Sequence, residues 1–286
     1  MSNTIKQYLS LVKFSHTIFA MPFAMIGYFL AVHDGYAFTW KIFLLVIACM
    51  ITARSAAMAF NRWLDKHFDA LNPRTAIREI PAGIISTQHA LLFVIVCCVL
   101  FIITCAFINI TCFILSPVAL FVVLGYSYTK RFTVLCHAIL GAGLALAPIG
   151  AYVAMAGSFA LLPILFSFIV IFWVSGFDII YALQDEAFDR AHHLQSIPAL
   201  LGKSTALIVS RVLHSITALF VLFIGGIENF RWMYWAGAII FIGMLIYQHI
   251  LVKPNNLSKV NIAFMITNGI ASITFAIFTI IEISVR

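Results

Sequence analysis

Ile164 to Asp189, ILFSFIVIFWVSGFDIIYALQDEAFD, makes two opposed demands on one stretch of chain. The part through Phe177 is the body of a membrane span, which takes about 20 apolar residues as a helix to cross roughly 30 Å of hydrocarbon. The rest carries Asp178, Asp185, Glu186 and Asp189. An ionised aspartate within a span costs about 2.5–3.5 kcal/mol even on a lenient insertion scale, so acids on the end of such a run point to function. At about 100° per residue, Asp178, Asp185 and Asp189 fall on one narrow helical face. The arrangement recurs upstream in NRWLDKHFD, Asn61 to Asp69, where Asp65 and Asp69 are spaced like Asp185 and Asp189 and share a face with Asn61.

Around these two stretches the chain is apolar: of 286 residues 63% are hydrophobic and 9% charged, and mean hydropathy is +1.07. A soluble domain carries about 25% charged residues and is excluded. Closed barrels show short alternating strands, and none are visible. The expected fold is all-α, a polytopic membrane bundle of nine transmembrane helices around a central cavity, in one domain over residues 1–286. The spans fall near 15–32, 42–60, 90–108, 112–128, 137–156, 160–182, 205–225, 233–252 and 260–282. Spans three and four meet at a short polar break, Asn109 and Thr111, which predicts a tight antiparallel hairpin. The polar N-terminus lacks a small-residue cleavage site, so the first apolar run is expected to stay as a span. Six cysteines (49, 97, 98, 105, 112 and 136) lie in or beside apolar runs without metal-type spacing and read as small core residues.

With the N-terminus inside, thirteen of seventeen Lys and Arg fall on the cytoplasmic side, leaving Lys41, Arg54, Arg231 and Arg286 elsewhere. This positive-inside pattern orients both acidic motifs to the cytoplasm, with the bilayer as partner. The formal charge of +7 is thus topological and implies no nucleic acid. Two long cytoplasmic connections, 61–89 and 183–204, each begin with an acidic motif and run to similar endings, Ile80-Pro81-Ala82-Gly83 and Ile197-Pro198-Ala199-Leu200-Leu201-Gly202. They suggest an internal pseudo-repeat, about 42–130 and 160–253.

Ten acids exist in the chain, and six belong to the two motifs. The plain alternative is solvated helix caps paired with Lys66 or Arg190, but caps do not need three polar groups on one face, twice. Like charges held close raise one another's pKa unless cations intervene. Mg²⁺ suits such a set, binding one or two carboxylates and completing its shell with water and phosphate oxygens. Arg74, Arg78, Lys130, Arg131 and Lys203 lie on the same side and supply the charge for an anionic diphosphate, or else are ordinary loop charge. A diphosphate so held is a leaving group. Its long isoprenoid would lie in the bundle or toward lipid, and aromatic faces would shield the resulting cation.

The ordered set NRxxDxxxD, NPRT, IPAG, YxxxKR, DxxYAxxDxxxD and SIPxxxG resembles the UbiA-type membrane prenyltransferases over nearly the whole chain. The resemblance implies Mg²⁺-dependent transfer of a polyprenyl group from a polyprenyl diphosphate to an aromatic acid acceptor, in the bacterial inner membrane. By that likeness Asn61, Asp65 and Asp69 look like the first metal-diphosphate motif and Asp178, Asp185 and Asp189 like the second. Arg74, Lys130 and Arg131 look like diphosphate or acceptor-carboxylate contacts, and Tyr126 like the tyrosine opening the loop after the fourth helix. Two departures stand out. Arg62 occupies a position usually acidic, where it removes a metal ligand or ties up a neighbouring aspartate, and Ser127 stands where proline is common. KFSHTIFAMPFA and LNPRTAIREIPAG look closer to the 4-hydroxybenzoate polyprenyltransferase-like branch, which includes dihydroxynaphthoate prenyltransferases of menaquinone synthesis.

An ion-coupled secondary transporter is the rival reading, but transporters set their acids near mid-membrane beside broken helices, whereas these cluster at one face. A non-catalytic scaffold leaves the clustering unexplained. His16 and His137 read as core or interfacial histidines, with contact to the acceptor as the alternative, His192 and His193 as a solvated loop pair, and Gly141, Gly143 and Gly150 as close-packing positions.

Overall fold

The structure, a computed structural model, describes residues 3–13 and 19–286. His16 lies outside the described residues. The elements are α1 (Asn3–Leu11), α2 (Met21–His33), α3 (Trp40–Leu64), α4 (Lys66–Leu71), α5 (Thr87–Ile108), α6 (Ile110–Thr129), α7 (Cys136–Ala156) and α8 (Leu161–Ala182), followed by α9 (Glu186–Ala191), α10 (Ile197–Ile227), α11 (Trp232–Leu251) and α12 (Asn268–Val285). Among the described residues eight helical segments are long and apolar enough to cross a membrane, not the expected nine. The shortfall is α2, apolar but 13 residues long, because the expected start of that span falls on residues the structure does not describe. The chain is an integral membrane protein.

Helices α7, α8, α10, α11, α12 and α2 pack in that order into a closed ring, and α3, α5 and α6 form a second group against α7. The expected cavity lies at the side of the ring, lined from α3, α6, α7 and α8. The ring interior is filled by aromatic side chains: Phe23 lies 5.3 Å from Trp173 and Phe241 5.0 Å from Phe275, centroid to centroid. Such offset and tilted pairs add about 0.5–1.5 kcal/mol each beyond the area they bury. One buried amide gathers polar groups inside the ring, where hydrocarbon offers no alternative partner. Trp173 Nε1 and Gln248 Nε2 both donate to Asn268 Oδ1, at 2.9 and 2.8 Å. Pro117 inside α6 cannot bond the Phe113 carbonyl, and the Ser116 hydroxyl donates to it instead at 2.8 Å.

The expected hairpin between the third and fourth spans closes on one residue. Asn109 ends α5 and caps α6, its Oδ1 accepting from Cys112 N at 2.8 Å while its Nδ2 donates to Val153 O at 2.9 Å. The IPALLG segment, expected in a loop, is the first turn of α10: Ser196 caps it, and the helix breaks only at Gly202, φ 76°, a value that favours glycine. Of the three glycines expected at close contacts, Gly141 is one. A Cβ there would meet Ile171 O at 2.6 Å, so α7 and α8 touch backbone to backbone. Gly143 makes only ordinary contact and Gly150 faces open space.

Candidate active site

The first acidic motif straddles a helix break. α3 ends at Leu64, Asp65 takes φ −88° and ψ 7°, and α4 resumes with Asp69 N donating to Asp65 O at 2.7 Å. The turn survives the break, and Asn61 Nδ2 donates to Asp65 Oδ2 at 3.1 Å. The second motif bends more sharply: after α8 the chain tightens into a 3₁₀ turn, Leu183–Asp185, before α9. Asn61, Asp65, Asp69, Asp178, Asp185 and Asp189 nonetheless all line one cavity of about 580 Å³, together with Arg74, Tyr126, Lys130 and Arg131.

Within that cavity the carboxylates are held by cations rather than by one another. Arg131 Nη2 lies 2.9 Å from Asp65 Oδ1, Arg78 Nη1 2.7 Å from Asp69 Oδ1, and Lys130 Nζ 2.7 Å from Asp189 Oδ1. Arg74 grips Asp185 through both Nε and Nη2 and also donates to the Tyr181 hydroxyl at 3.2 Å. Asn72 Nδ2 adds a bond to Asp185 Oδ1 at 3.0 Å. Two of these contacts join the motifs. The loop after the first motif reaches the second through Asn72 and Arg74, while adjacent Lys130 and Arg131 clamp one acid from each. Asp178 pairs with His137 Nδ1 at 2.7 Å. Among the described residues no three acidic, His or Cys side chains are grouped closely enough to cage a metal ion by themselves. The bases explain the spacing, because each carboxylate turns toward its own cation.

Burial pushes the Asp65 carboxyl up to about 6, with the Arg131 charge pulling the other way. For Arg74 burial acts downward, but the hydrogen bonds and charge of Asp185 carry it above the ordinary guanidinium value. Lys130 is likewise raised, Asp189 outweighing burial. Several buried polar atoms in the same wall have no hydrogen-bond partner among the described residues: Asp69 Oδ2, Glu79 Oε2, Arg62 Nη1 and Arg54 Nε. Such buried orphans are rare in folded proteins and mark positions that an ion or water commonly satisfies.

Arg62 ties up neither aspartate, since Asp65 and Asp69 are paired with Arg131 and Arg78; it is buried, 4% exposed, in the cavity wall. Arg54 was counted above only as topological charge. It lines the polar cavity and also a second, apolar cavity of about 400 Å³ among α3, α5, α6 and α7. A basic residue inside a span was the signal available for it. Met58, Tyr126, Leu140 and Leu144 border both cavities too, so the charged chamber shares a wall with an oily one. Lys203 is not in the wall, and Glu186 pairs with Arg190 at 2.5 Å as an ordinary i,i+4 ion pair. His192 is stacked on Phe188 at 4.0 Å instead of being free in solvent. The cysteines are free thiols, with Cys49 and Cys105 Sγ 3.7 Å apart in the apolar wall.

The UbiA prenyltransferase family profile matches residues 20–270. The chain belongs to that family. Among its relatives it is 30% identical over 230 residues, 79% of each chain, to the 4-hydroxybenzoate octaprenyltransferase of Nitrosomonas eutropha. It is 25% identical over 276 residues, 96% of each chain, to that of a Marinomonas species. Among solved structures it resembles the apo UbiA homolog from Aeropyrum pernix K1, with TM-score 0.80, 30% identity, and 94% and 97% of the two chains covered. The Archaeoglobus fulgidus UbiA homolog bound to GPP and Mg²⁺ shares the fold, with TM-score 0.75, 21% identity, and 97% and 99% covered. This UbiA-family chain is therefore a membrane prenyltransferase.

Proposed function

We propose that the protein transfers a polyprenyl group from a polyprenyl diphosphate to a hydroxylated aromatic carboxylic acid, 4-hydroxybenzoate or a dihydroxynaphthoate, in quinone biosynthesis. The observation that carries the reading is the adjacency of a chamber walled by five aspartates and their partners to an apolar chamber of about 400 Å³, the two sharing Arg54, Met58, Tyr126, Leu140 and Leu144. A diphosphate fits the first and an isoprenoid the second, and the named activity of the relatives supports the pairing.

Hard oxygen donors, with Asp69 Oδ2 buried and unpartnered, suit Mg²⁺ better than a softer ion. Asn61, Asp65 and Asp69 from one motif and Asp185 and Asp189 from the other would hold it. When bound, such ions stabilise the charge that develops on a departing diphosphate. Arg74, Lys130 and Arg131 then turn from the carboxylates to the phosphate oxygens, which the arginines bind bidentately. The allylic C–O bond breaks with its electron pair on the diphosphate. The ring carbon ortho to the hydroxyl attacks the allylic carbon, and the ring proton leaves to a carboxylate. Arg54, at the junction of the chambers and without an ion-pair partner among the described residues, is placed to take the acceptor's carboxylate. We assign the proton to Asp178. Asp178 lines the chamber and is held by His137 rather than by an Arg or Lys that a phosphate would draw away, so it is withdrawn from the metal set that the resemblance implied.

Thirteen of seventeen basic residues on one side favour a cytoplasmic chamber in a bacterial plasma membrane. The same clustering at one end of the bundle speaks against ion transport through mid-membrane. The test incubates detergent-purified protein and Mg²⁺ with C15–C40 prenyl diphosphates, offering 4-hydroxybenzoate and 1,4-dihydroxy-6-naphthoate in parallel, and identifies products by mass spectrometry. Asp65→Ala and Asp185→Ala should lose product while staying folded by circular dichroism. Near-normal turnover by both would count decisively against the scheme.

A further inference from the structure

His137 read from the sequence as a core histidine, and it is buried, 3% exposed. Its surroundings give it more to do. It stands in the first turn of α7, where Gly141 brings that helix against α8 and Ser175 Oγ donates to the His137 carbonyl at 3.2 Å. The imidazole then bridges two partners from distant parts of the chain. Nδ1 lies 2.7 Å from Asp178 Oδ2, and Nε2 lies 3.3 Å from the backbone nitrogen of Ile197.

The second contact decides the first. A backbone N–H only donates, so Nε2 is the acceptor and the ring proton of the neutral imidazole sits on Nδ1, pointing at Asp178. One carboxylate oxygen is thereby fixed, leaving Oδ1 for the cavity. Ile197 is fixed in turn: the preceding Ser196 donates to Asp189 Oδ2 at 2.9 Å and accepts from Ala199 N at 3.3 Å. Gln195 N donates to Lys130 O at 2.6 Å. The SIP segment, a motif without an evident task, thus anchors to two of the three aspartates of the second motif, to Asp189 directly and to Asp178 through the imidazole.

We propose that His137 is a positioning residue for prenyl transfer, a fixed-tautomer bridge from the Ile197 amide that aims the Asp178 carboxylate at the acceptor. The proposal rests on the activity proposed above. His137 lies in the chamber wall and acts through Asp178. Loss of an outer partner of this kind typically costs about 10–100-fold in activity.

Two conservative variants separate the roles of the ring nitrogens. Asn in place of His puts an amide N–H near the position of Nδ1, keeping the bond to Asp178. Gln in place of His reaches the position of Nε2, keeping the bond from Ile197. Steady-state kinetics should show His137→Ala down about 10–100-fold in kcat with the KM for prenyl diphosphate unchanged. His137→Asn should recover most of that loss and His137→Gln little of it. ¹⁵N spectra of histidine-labelled protein should show one imidazole locked as the Nδ1–H tautomer and lost in His137→Ala. Equal losses in Asn and Gln, full activity in Ala, or an Nε2–H tautomer would each overturn the proposal. Absence of product from the wild-type protein would instead remove the activity on which it rests, while the ¹⁵N result would still report on the bridge.

Discussion

Replacing Arg131 by Gln should make the substrate-free protein bind Mg²⁺ more tightly and Mg-diphosphate more weakly, two effects of opposite sign from one substitution. Arg131 makes three hydrogen bonds, to Asp65 Oδ1 at 2.9 Å, Leu64 O at 3.2 Å and Ser127 O at 3.2 Å, and lies over the rings of Phe68 and Tyr128. Only the first competes with a cation for Asp65. A hydrogen bond to a charged group is worth about 1.5–3 kcal/mol net, and 1.4 kcal/mol is tenfold in Kd. An incoming ion should therefore gain about 10–100-fold when that bond need not be broken. The diphosphate complex should lose a similar factor, because a guanidinium contact to phosphate has gone. Isothermal titration calorimetry in detergent measures both, with Mg²⁺ alone and then with Mg²⁺ and inorganic diphosphate. The titration belongs at pH 8. Burial already holds Asp65 at about 6, and losing Arg131 pushes it further up. Unchanged Mg²⁺ affinity, or weaker binding of Mg²⁺ alone, would show that Arg131 does not stand in for the metal.

Three further outcomes follow from the same geometry. Because Asp65 titrates near 6 in the folded chain against 3.8 ordinarily, a proton should compete with Mg²⁺ below pH 6, lowering affinity up to about tenfold per unit. The same shift makes the metal-free fold gain stability as pH falls from 6 toward 4, with the burial penalty complete above 6, and Asp65→Asn should abolish both trends in calorimetry and thermal melts. Arg54→Leu should raise the KM for the aromatic acid about 10–100-fold while leaving that for prenyl diphosphate in place, the size expected for one lost charged hydrogen bond. Gly27→Ala should lower thermal stability in detergent by about 1–3 kcal/mol or more, since a Cβ there would fall 2.0 Å from Pro148 O and force α2 off α7.

What the sequence by itself determined follows from rules that act locally or on composition. A run such as Ile164–Phe177 has no refuge but the bilayer, and the periodicity of Asn61, Asp65 and Asp69 keeps those groups on one face whatever the rest of the chain does. The hairpin at Asn109 lies within a turn of the residue that causes it. The tertiary structure alone decided which cation meets which acid. Arg74 and Asp185 are 111 residues apart and His137 and Asp178 are 41 apart, and nothing local links them. Arg54 looked like stray charge until α6 and α7 closed around it, and Arg62 looked like a partner for an aspartate until Arg78 and Arg131 arrived from elsewhere. Which aromatic side chains fill the ring, Phe23, Trp173, Phe241 and Phe275, was also decided there, because aromatic count alone does not tell a lipid-facing ring from a buried one. Long-range pairing depends on how whole helices approach one another, which is set at contacts such as Gly27 on Pro148 and Gly141 on Ile171, and a sequence read one face at a time does not contain that distance.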